Sequence, residues 1–273
     1  MPQGNEYNHK LPDINILKTL YFGDKMSAEE IARKYNVTKG AVFIKFRRYN
    51  IQRRSLEEAQ SIKANYIKLT LPLIHFMDGL LLGDGSVTLA PRGKSATYSH
   101  TDKHKEYLRW LRDKFENYRI ECANIRGHTN DTYAIRTKHY RDFVYFRQRW
   151  YPNNKKKIPP TLELNPTVLF NWFIGDGSYI KGNKVFIATQ FDVEGRTRIA
   201  RNLEKIGIDN SIYNPGIYIK ADSRTEFFRY ILSSGLEIPT SYQYKFPRDL
   251  IYARKFHHDI YTNFLNTNGG KSC

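Results

Sequence analysis

The sequence predicts an α+β protein with two similar halves, each of αββαββα order, preceded by a small all-helical segment. An apolar stretch runs into Gly-Asp-Gly-Ser twice, in GLLLGDGSV at 79–87 and in NWFIGDGSY at 171–179, about 90 residues further on. The same succession of strand-like stretches and amphipathic helices follows each copy, whereas the first 55 residues contain only helix signals. One duplicated domain behind a helical segment explains these observations.

Three short helices are predicted in residues 1–55, where Asp13, SAEE at 27–30 and Thr38 provide helix starts. The apolar residues between positions 31 and 51 fall where a helix-turn-helix has its core. The pattern resembles that of small helix-turn-helix modules, whose second helix lies in a major groove of DNA. The alternative is a helical extension that only packs on the rest of the protein.

Residues 31–56 contain no acidic side chain, so we expect this surface to lie on phosphate. The apolar Phe43 and Ile44 would either contact thymine methyl groups or pack against the protein. The resemblance places these residues nearest the bases: Lys39, Gly40, Phe43, Ile44 and Arg47. The basic residues of this surface are Arg33, Lys34, Lys39, Lys45, Arg47, Arg48, Arg53 and Arg54.

The chain as a whole is strongly basic, because 44 Lys and Arg residues against 27 Asp and Glu residues give a net charge of +17. Such an excess favours a polyanionic partner such as nucleic acid. The sequence has no long apolar window and no signal-peptide pattern, so we expect an intracellular protein without membrane contact, in cytoplasm, nucleoid or organelle matrix. Cys122 and Cys273 provide neither a disulfide framework nor a zinc-ligand spacing.

Two apolar helices are predicted to end at the repeated motif. Pro72 and Pro166 suit a first helical turn, and Asn165 is a good N-cap for the second helix. Gly85 and Gly177 are expected to end the two helices in the left-handed backbone conformation.

The aspartates of the two motifs, Asp84 and Asp176, are therefore expected at helix C-termini, where the helix dipole disfavours a carboxylate. A divalent cation held between both would offset this effect, and oxygen ligands suit Mg²⁺. A single Gly-Asp-Gly-Ser is a common turn, and neither copy continues as an EF-hand loop. Two copies, each after an apolar helix and each opening the same succession of elements, indicate one shared site.

With these motifs the chain resembles the monomeric, two-motif LAGLIDADG homing endonucleases. The resemblance covers Leu69 to about Leu250 and includes NKKKIPP at 154–160, ATQ at 188–190 and IPTSYQYKFP at 238–247. It implies that the two motif helices pack side by side at the centre of a pseudo-twofold molecule. It further implies that their tips put both aspartates beside the scissile phosphates and that two antiparallel sheets form a saddle over the major groove.

The function implied by the resemblance is site-specific, magnesium-dependent cleavage of both strands of a long, asymmetric double-stranded DNA by a monomer. Asp84 and Asp176 match the metal-binding position of the motif, and the metal-binding set extends to Gly83 and Gly175. Shared cations that stabilise both the attacking and the leaving oxygen suit phosphodiester hydrolysis. The alternative is an intron RNA maturase or a DNA-binding regulator on a non-cleaving body. The acidic pair favours cleavage, because idle carboxylates would repel phosphate.

A basic residue near each phosphate is also implied by the resemblance. Lys245, in YKFP, takes this role in one half. In the other half the K-x-I-P pattern selects Lys156, whereas internal symmetry with K-F-P selects Lys157. Gln190 matches the polar active-site residue of the second half, and His100 is its expected counterpart, either catalytic or a structural or DNA contact.

The motifs depart from the family pattern at several positions. Gly79 supplies the small residue that close helix contact prefers, but Asn171 replaces it in the second copy. Leu82 and Ile174 replace the first acidic residue of the motif and are interpreted as core packing.

Alternate residues of the saddle strands would contact DNA, either at bases or at phosphates. The candidates are Thr88, Arg92, Lys94, Arg136, Lys138, Lys181, Lys184 and Lys220, in addition to Lys39, Arg47 and Arg48 of the helical segment. The expected division of the chain is a helix-turn-helix segment at 1–55, a linker helix at 56–68, the two halves at 69–160 and 161–255, and a C-terminal helix and tail at 256–273.

Overall fold

The computed structural model describes residues 10–55, 58–59, 65–91, 93–129, 131–180 and 184–251. The chain forms two compact units, Met1–Ala64 and Asn65–Cys273, called the first and the second unit below. The predicted DNA contacts Arg92 and Lys181 and the predicted C-terminal helix at 256–273 lie outside the described residues. Of the predicted linker helix, residues 65–68 are not helical: Asn65 forms a β-bridge with Tyr140 instead.

The first unit contains the three predicted helices. Each predicted cap is present: Asp13 accepts hydrogen bonds from the backbone of the first turn, Ser27 and Glu30 form a capping box, and Thr38 caps the third helix. The helices are α1 (Ile14–Lys18), which continues as a π-helix (Thr19–Gly23), α2 (Ala28–Lys34) and α3 (Lys39–Arg48).

Two of the basic residues predicted to lie on phosphate serve the core of the first unit instead. The Lys45 ammonium is buried and donates to the carbonyls of Leu11 and Pro12, at 3.0 and 2.8 Å. The Arg54 guanidinium stacks over the ring of Tyr21 at 3.9 Å. It also donates to the backbone carbonyls of Lys25 and Met26, in the connection before α2. The sequence prediction was wrong for these two residues because charge alone does not reveal which side of a helix or loop a side chain occupies.

The second unit has the predicted αββαββα order twice. The first half contains α4 (Leu71–Leu82), β1 (Ser86–Leu89), β2 (Ala96–Asp102), α5 (Lys105–Asn117), β3 (Arg126–Gly127), β4 (Tyr133–Arg136) and α6 (Phe143–Trp150). The second half contains α7 (Pro166–Asp176), β5 (Gly177–Ile180), β6 (Lys184–Ala188), α8 (Val193–Lys205), β7 (Asn210–Tyr213), β8 (Gly216–Ile219) and α9 (Arg224–Leu232), followed by a 3₁₀-helix (Thr240–Lys245).

Each half forms a four-stranded antiparallel sheet, with the strand orders β1-β2-β4-β3 and β5-β6-β8-β7. Helices cover one face of each sheet, and one continuous hydrophobic core joins the two halves. The predicted α+β class and the two antiparallel sheets are confirmed.

Helices α4 and α7 pack directly against each other and lie in the middle of this core. The contact is closest at Gly79, where an added Cβ would lie 2.6 Å from the carbonyl oxygen of Val168 and 2.7 Å from the Cβ of Asn171. Asn171 fits because it faces this glycine and because its Nδ2 donates to the Thr167 carbonyl of its own helix, at 3.0 Å. The departure at Asn171 is therefore compatible with close pairing.

The glycines after the two aspartates do not end their helices as predicted. Gly177 has φ −75° and ψ 152°, and in the part of the chain that the structure describes only Gly93, Gly207 and Gly235 have positive φ among glycines. Glycine is required at both positions because a side chain would not fit. An added Cβ at Gly85 would lie 2.5 Å from the Leu80 carbonyl oxygen, and one at Gly177 would lie 2.1 Å from the Phe173 ring. The other helix signals hold, since Pro166 begins α7 and Asn165 caps it.

Although α4 and α7 are strongly apolar, no helix in the described ranges has the length and apolar character needed to span a membrane.

The close contact at Gly79 makes a prediction about stability. Gly79→Ala should lower the free energy of unfolding of the second unit by about 1–3 kcal/mol, because the new methyl group overlaps the backbone of α7. Urea unfolding followed by far-UV circular dichroism measures this change. Gly127→Ala is the matched control, because an added Cβ there meets nothing within 4 Å. Equal stability of the two variants would contradict direct backbone contact between the helices.

Candidate active site

The two aspartates lie where the tips of α4 and α7 meet. Asp84 follows Gly83 at the C-terminal end of α4 and is exposed, whereas Asp176 is the last residue of α7 and is partly buried. An added Cβ at Gly83 would lie 3.4 Å from Oδ2 of Asp176, and one at Gly175 would lie 4.0 Å from the Cα of Gly83. Glycines at the tips therefore bring one carboxylate of each half into one small region.

A cavity of about 490 Å³ opens at this region. Residues of both halves line it, among them Asp84, Tyr151, Lys156, Asp176, Thr189 and Gln190. The structure thus brings together both predicted aspartates, one of the predicted lysines and the predicted glutamine.

Lys156 and not Lys157 reaches the site. The Lys156 ammonium donates to the carbonyl oxygens of Gly83 and Gly85, at 2.6 and 2.8 Å, and its side chain is largely enclosed. The Lys157 side chain is exposed, and its backbone N–H donates to the Trp150 carbonyl at 2.8 Å. The K-x-I-P pattern therefore selects the lysine that reaches the motif, and the internal K-F-P symmetry does not.

Lys245 occupies the corresponding place at the second tip. Its ammonium is buried and donates to the carbonyls of Ile174 and Gly175, at 2.6 and 2.9 Å. It also lies 4.5 Å from the ring centroid of Tyr242. Each motif helix is thus capped by one lysine, whose positive charge is favourable at a helix C-terminus.

Burial shifts the ionisation of this cluster towards the neutral forms. Burial, and to a smaller extent the neighbouring Asp84 carboxylate, raise the pKa of Asp176 to about 7. Burial lowers the pKa of Lys156 and of Lys245 to about 8, although both aspartates act in the opposite direction. Two neighbouring carboxylates that repel each other are stabilised by an added positive charge, which a cation would supply.

The donor set fits a hard divalent cation such as Mg²⁺. Asp84 and Asp176 offer carboxylate oxygens, and the missing side chain of Gly83 leaves a space that faces Asp176. The carbonyls of Gly83 and Gly175 already accept hydrogen bonds from Lys156 and Lys245, so these oxygens would be shared between lysine and cation. The described residues contain no cluster of three or more His, Cys, Asp or Glu side chains that could form another metal centre.

His100 is not the counterpart of Gln190. The serines of the two motifs pair with Ser99 and Phe186 in the neighbouring strands, so His100 corresponds to Ile187, one residue further on. Both residues are buried on the helix-covered face of their sheets. The prediction was wrong because residue type does not reveal strand register.

The same register identifies Lys103 as the first-half counterpart of Gln190, since Lys103 lies four residues after Ser99 and Gln190 lies four residues after Phe186. Lys103 is exposed and close enough to Lys245 to lower the pKa of Lys245 slightly. The two ends of the site therefore differ: one combines Lys156 with a neutral glutamine, and the other combines Lys245 with a second lysine.

His100 instead belongs to a buried network that leads to Lys245. Its Nδ1 lies 3.1 Å from the Tyr98 hydroxyl and its Nε2 lies 3.9 Å from Oδ2 of Asp102. Asp102 accepts a hydrogen bond from the Tyr242 hydroxyl at 2.5 Å, and the Tyr242 ring packs on Lys245. The network attaches the 3₁₀-helix that carries Lys245 to strand β2 of the other half.

Sequence reasoning missed a second carboxylate in the first motif helix. Asp78 is only 2% exposed, accepts a hydrogen bond from the Trp150 indole at 2.8 Å and forms a short ion pair with Arg149. The available signal was a charged residue in the middle of the apolar run LIHFMDGLLL.

The open face of the first sheet is polar. Arg136 is exposed, lies across from Ser99 in the register, and shares its face with the exposed Thr88. Arg126, which lies across from Ala134 on the same face, is exposed and was missed by the sequence analysis. Lys94 is exposed beside this sheet.

The Lys138 ammonium is already paired, because it forms a short ion pair with Glu121. In the second sheet Lys184 begins β6 and Lys220 follows β8, and both are exposed. The open face of this sheet is more apolar: the rings of Phe186 and Tyr218 lie 6.3 Å apart, and Ile180 is exposed beside them. The two sheets therefore present different chemistry.

In the first unit, α3 exposes Lys39, Arg47 and Arg48. Phe43 packs on the core of this unit and under Arg53, at 5.0 Å from the ring centroid, whereas Ile44 is 58% exposed. Of the two apolar residues left open by the sequence, Phe43 is a packing residue, and Ile44 stays available for a partner.

Known proteins resemble more than half of this chain. The model of the LAGLIDADG DNA endonuclease family matches residues 74–234. An uncharacterized protein of Methanocaldococcus jannaschii is 28% identical over 180 residues, which are 62% of this chain and 68% of that protein. The homing endonuclease I-WcaI, solved bound to its DNA recognition sequence, superposes with a TM-score of 0.54 at 22% identity and covers 65% of this chain and 88% of its own. I-DmoI, solved with DNA and Mn, gives a TM-score of 0.42 at 16% identity, over 59% of this chain and 97% of its own.

Proposed function

Because the chain belongs to the LAGLIDADG DNA endonuclease family, we propose that it is a site-specific homing endonuclease that hydrolyses both strands of a long, asymmetric DNA target. The observation that carries this proposal is the meeting of Asp84 and Asp176 at two adjoining helix tips, each tip with its own enclosed lysine. An acidic pair beside a phosphate-binding surface weakens binding unless it holds a cation, so a purely DNA-binding role would not explain it.

In this proposal Asp84 and Asp176 hold Mg²⁺ with help from the carbonyls of Gly83 and Gly175. The bound cation would supply Lewis-acid stabilisation of the charge that develops on the phosphate oxygens. Lys156 serves one scissile phosphate and Lys245 serves the other, and each lysine stabilises negative charge or positions water. Gln190 and Lys103 occupy equivalent positions beside the two phosphates and orient them or the attacking water.

The open faces of the two sheets form the DNA-binding surface, and the protein acts as a monomer. Arg126, Arg136 and Thr88 would contact the half-site under the first sheet through hydrogen bonds. Ile180 and Phe186 would contact the half-site under the second sheet through apolar surface, which suits thymine methyl groups. Lys94, Lys184 and Lys220 lie at the margins, where contact with phosphate is favoured.

The first unit would extend this DNA contact as a helix-turn-helix, with α3 as the recognition helix. Arg47 and Arg48 are exposed at its C-terminal end, and Ile44 offers an apolar contact one turn earlier. The capped helices and the small core of this unit support such a role, because they hold α3 as a rigid element.

The aspartates provide the first test. Asp84→Asn and Asp176→Asn should each lower the rate of double-strand cleavage about a thousandfold or more, because the site loses an anionic ligand, while DNA affinity stays largely intact. Cleavage is measured in Mg²⁺ on duplexes selected from a random library, and binding is measured by gel retardation in Ca²⁺.

Added Mg²⁺ should also raise the melting temperature of the wild-type protein and not that of the double variant Asp84→Asn/Asp176→Asn. Undiminished cleavage by either single variant would remove that residue from the mechanism. If the wild-type protein retards duplexes or intron RNA and cuts no library member, the non-cleaving regulator or maturase function replaces the proposal.

The two adjacent lysines provide a matched pair. Lys156→Met should slow cleavage of one strand by about 100-fold, because a group beside the phosphate is lost, whereas Lys157→Met should retain nearly full activity. Strand-resolved rates on an end-labelled duplex measure both effects. The reverse order of the two variants would contradict the assignment from the hydrogen bonds of Lys156.

The first unit is tested through salt dependence. The double substitution Arg47→Ala/Arg48→Ala should weaken binding and reduce the slope of log K against log salt concentration by about 2. Arg201→Ala/Lys205→Ala on α8 removes the same charge from the helix-covered side and is the control. Equal slopes for the two variants would mean that α3 does not contact phosphate.

A further inference from the structure

The segment that carries Lys156 is attached to the first motif helix by a buried ion pair. Asp78 lies in the middle of α4, and its carboxylate contacts the guanidinium of Arg149 and the indole of Trp150. Arg149 and Trp150 are the last two residues of α6, and the segment that carries Lys156, residues 151–160, follows them directly. The beginning of the segment is therefore fixed to the same helix that carries Asp84.

The far end of the segment is fixed by the same arginine. Arg149 donates from Nε to the Thr161 hydroxyl at 3.4 Å and from a terminal nitrogen to the Thr161 carbonyl at 3.3 Å. Within the segment, the Lys157 N–H donates to the Trp150 carbonyl at 2.8 Å. Asp78 and Arg149 thus close a loop over 150–161, and Lys156 projects from this loop to the carbonyls of Gly83 and Gly85.

The second half has an apolar residue where the first half has Asp78, and so it lacks this ion pair. Phe170 lies five residues before Gly175, as Asp78 lies five residues before Gly83, and Phe170 packs near Trp110 and Phe246. Apolar packing at this position is therefore compatible with the fold. A buried ion pair seldom adds net stability over apolar packing, because desolvation of the charges costs about as much as their attraction provides. Positional precision is a better reason for Asp78 and Arg149 than stability.

We propose that Asp78 and Arg149 are positioning residues for Lys156 and that they control cleavage of one DNA strand only. Lys245 is held by different contacts, since Tyr242 binds Asp102 and Ser241 binds Glu106, at 2.5 and 3.0 Å. Loss of the Asp78–Arg149 pair therefore leaves the second lysine in place. This proposal rests on the proposed function, in which each lysine serves one scissile phosphate.

Strand-resolved cleavage tests the proposal. Asp78→Asn should slow the strand that Lys156→Met slows, by at least about tenfold, and should leave the other strand within about twofold, so that nicked duplex accumulates. A purely structural role would slow both strands alike. Equal slowing of the two strands, or slowing of the strand that Lys245→Met affects, would overturn the proposal.

Because Asp78→Asn leaves the partly buried Arg149 without its anionic partner, a second variant is needed to exclude misfolding. Asp78→Leu/Arg149→Met replaces the pair by apolar side chains; it should still fold cooperatively, with a melting temperature lowered by several degrees because the Trp150 indole N–H loses its acceptor, and should show the same strand bias. Glu226→Gln, which removes an exposed ion pair with Arg229 on α9, is the control and should show no strand bias.

Hydrogen exchange separates this proposal from the proposed function. In the full-length protein without DNA, amides of residues 151–160 should exchange at least about tenfold faster in the double apolar variant than in the wild type, with α7 unchanged. If the wild-type protein cuts no DNA, the proposed function fails, but the exchange rates still decide whether Asp78 and Arg149 position the Lys156 segment. Unchanged exchange across residues 151–160 would refute this positioning role.

Discussion

The direct contact between α4 and α7 determines where the chemistry of this protein can take place. Both helices are buried over their central and C-terminal turns, from Phe76 to Leu82 in α4 and from Val168 to Ile174 in α7, so their tips cannot move independently of the core that surrounds them. Gly79 allows the backbones to meet, and Gly83 and Gly175 keep the tips free of side chains. The carboxylates, the two lysines and the carbonyls they bind all follow from this one packing arrangement.

Much of the fold followed from periodic features of the sequence. The repeated motif, the helix caps and the alternation of strands and helices were predictable because they depend on local chemistry and on repetition along the chain. The aspartates at the two helix tips followed for the same reason. These features need no knowledge of which elements face each other.

The predictions that failed or that left alternatives open depend on contacts between distant residues. The choice between Lys156 and Lys157 requires the path of the segment after α6, and the error at His100 came from strand register, neither of which leaves a local pattern. Gly85 and Gly177 were predicted to end their helices in the left-handed conformation, but the reason for these glycines is lack of space, beside Tyr98 of strand β2 for Gly85 and beside the Phe173 ring for Gly177. Asp78 remained unnoticed because its partners follow it by about 70 residues.

The anchoring of the two lysines also bears on how freely the halves can be exchanged as modules. Lys156 depends on Asp78 and Arg149, which belong to its own half, whereas Lys245 depends on Asp102 and Glu106, which belong to the other. The carboxylate that fixes the Lys156 segment therefore comes from its own half, whereas the carboxylates that fix the Lys245 segment do not. A chimera that keeps the first half and receives a foreign second half must match these two acidic residues, while the opposite exchange must preserve the hydrogen bond from Arg198 to the Ile158 carbonyl, at 3.2 Å.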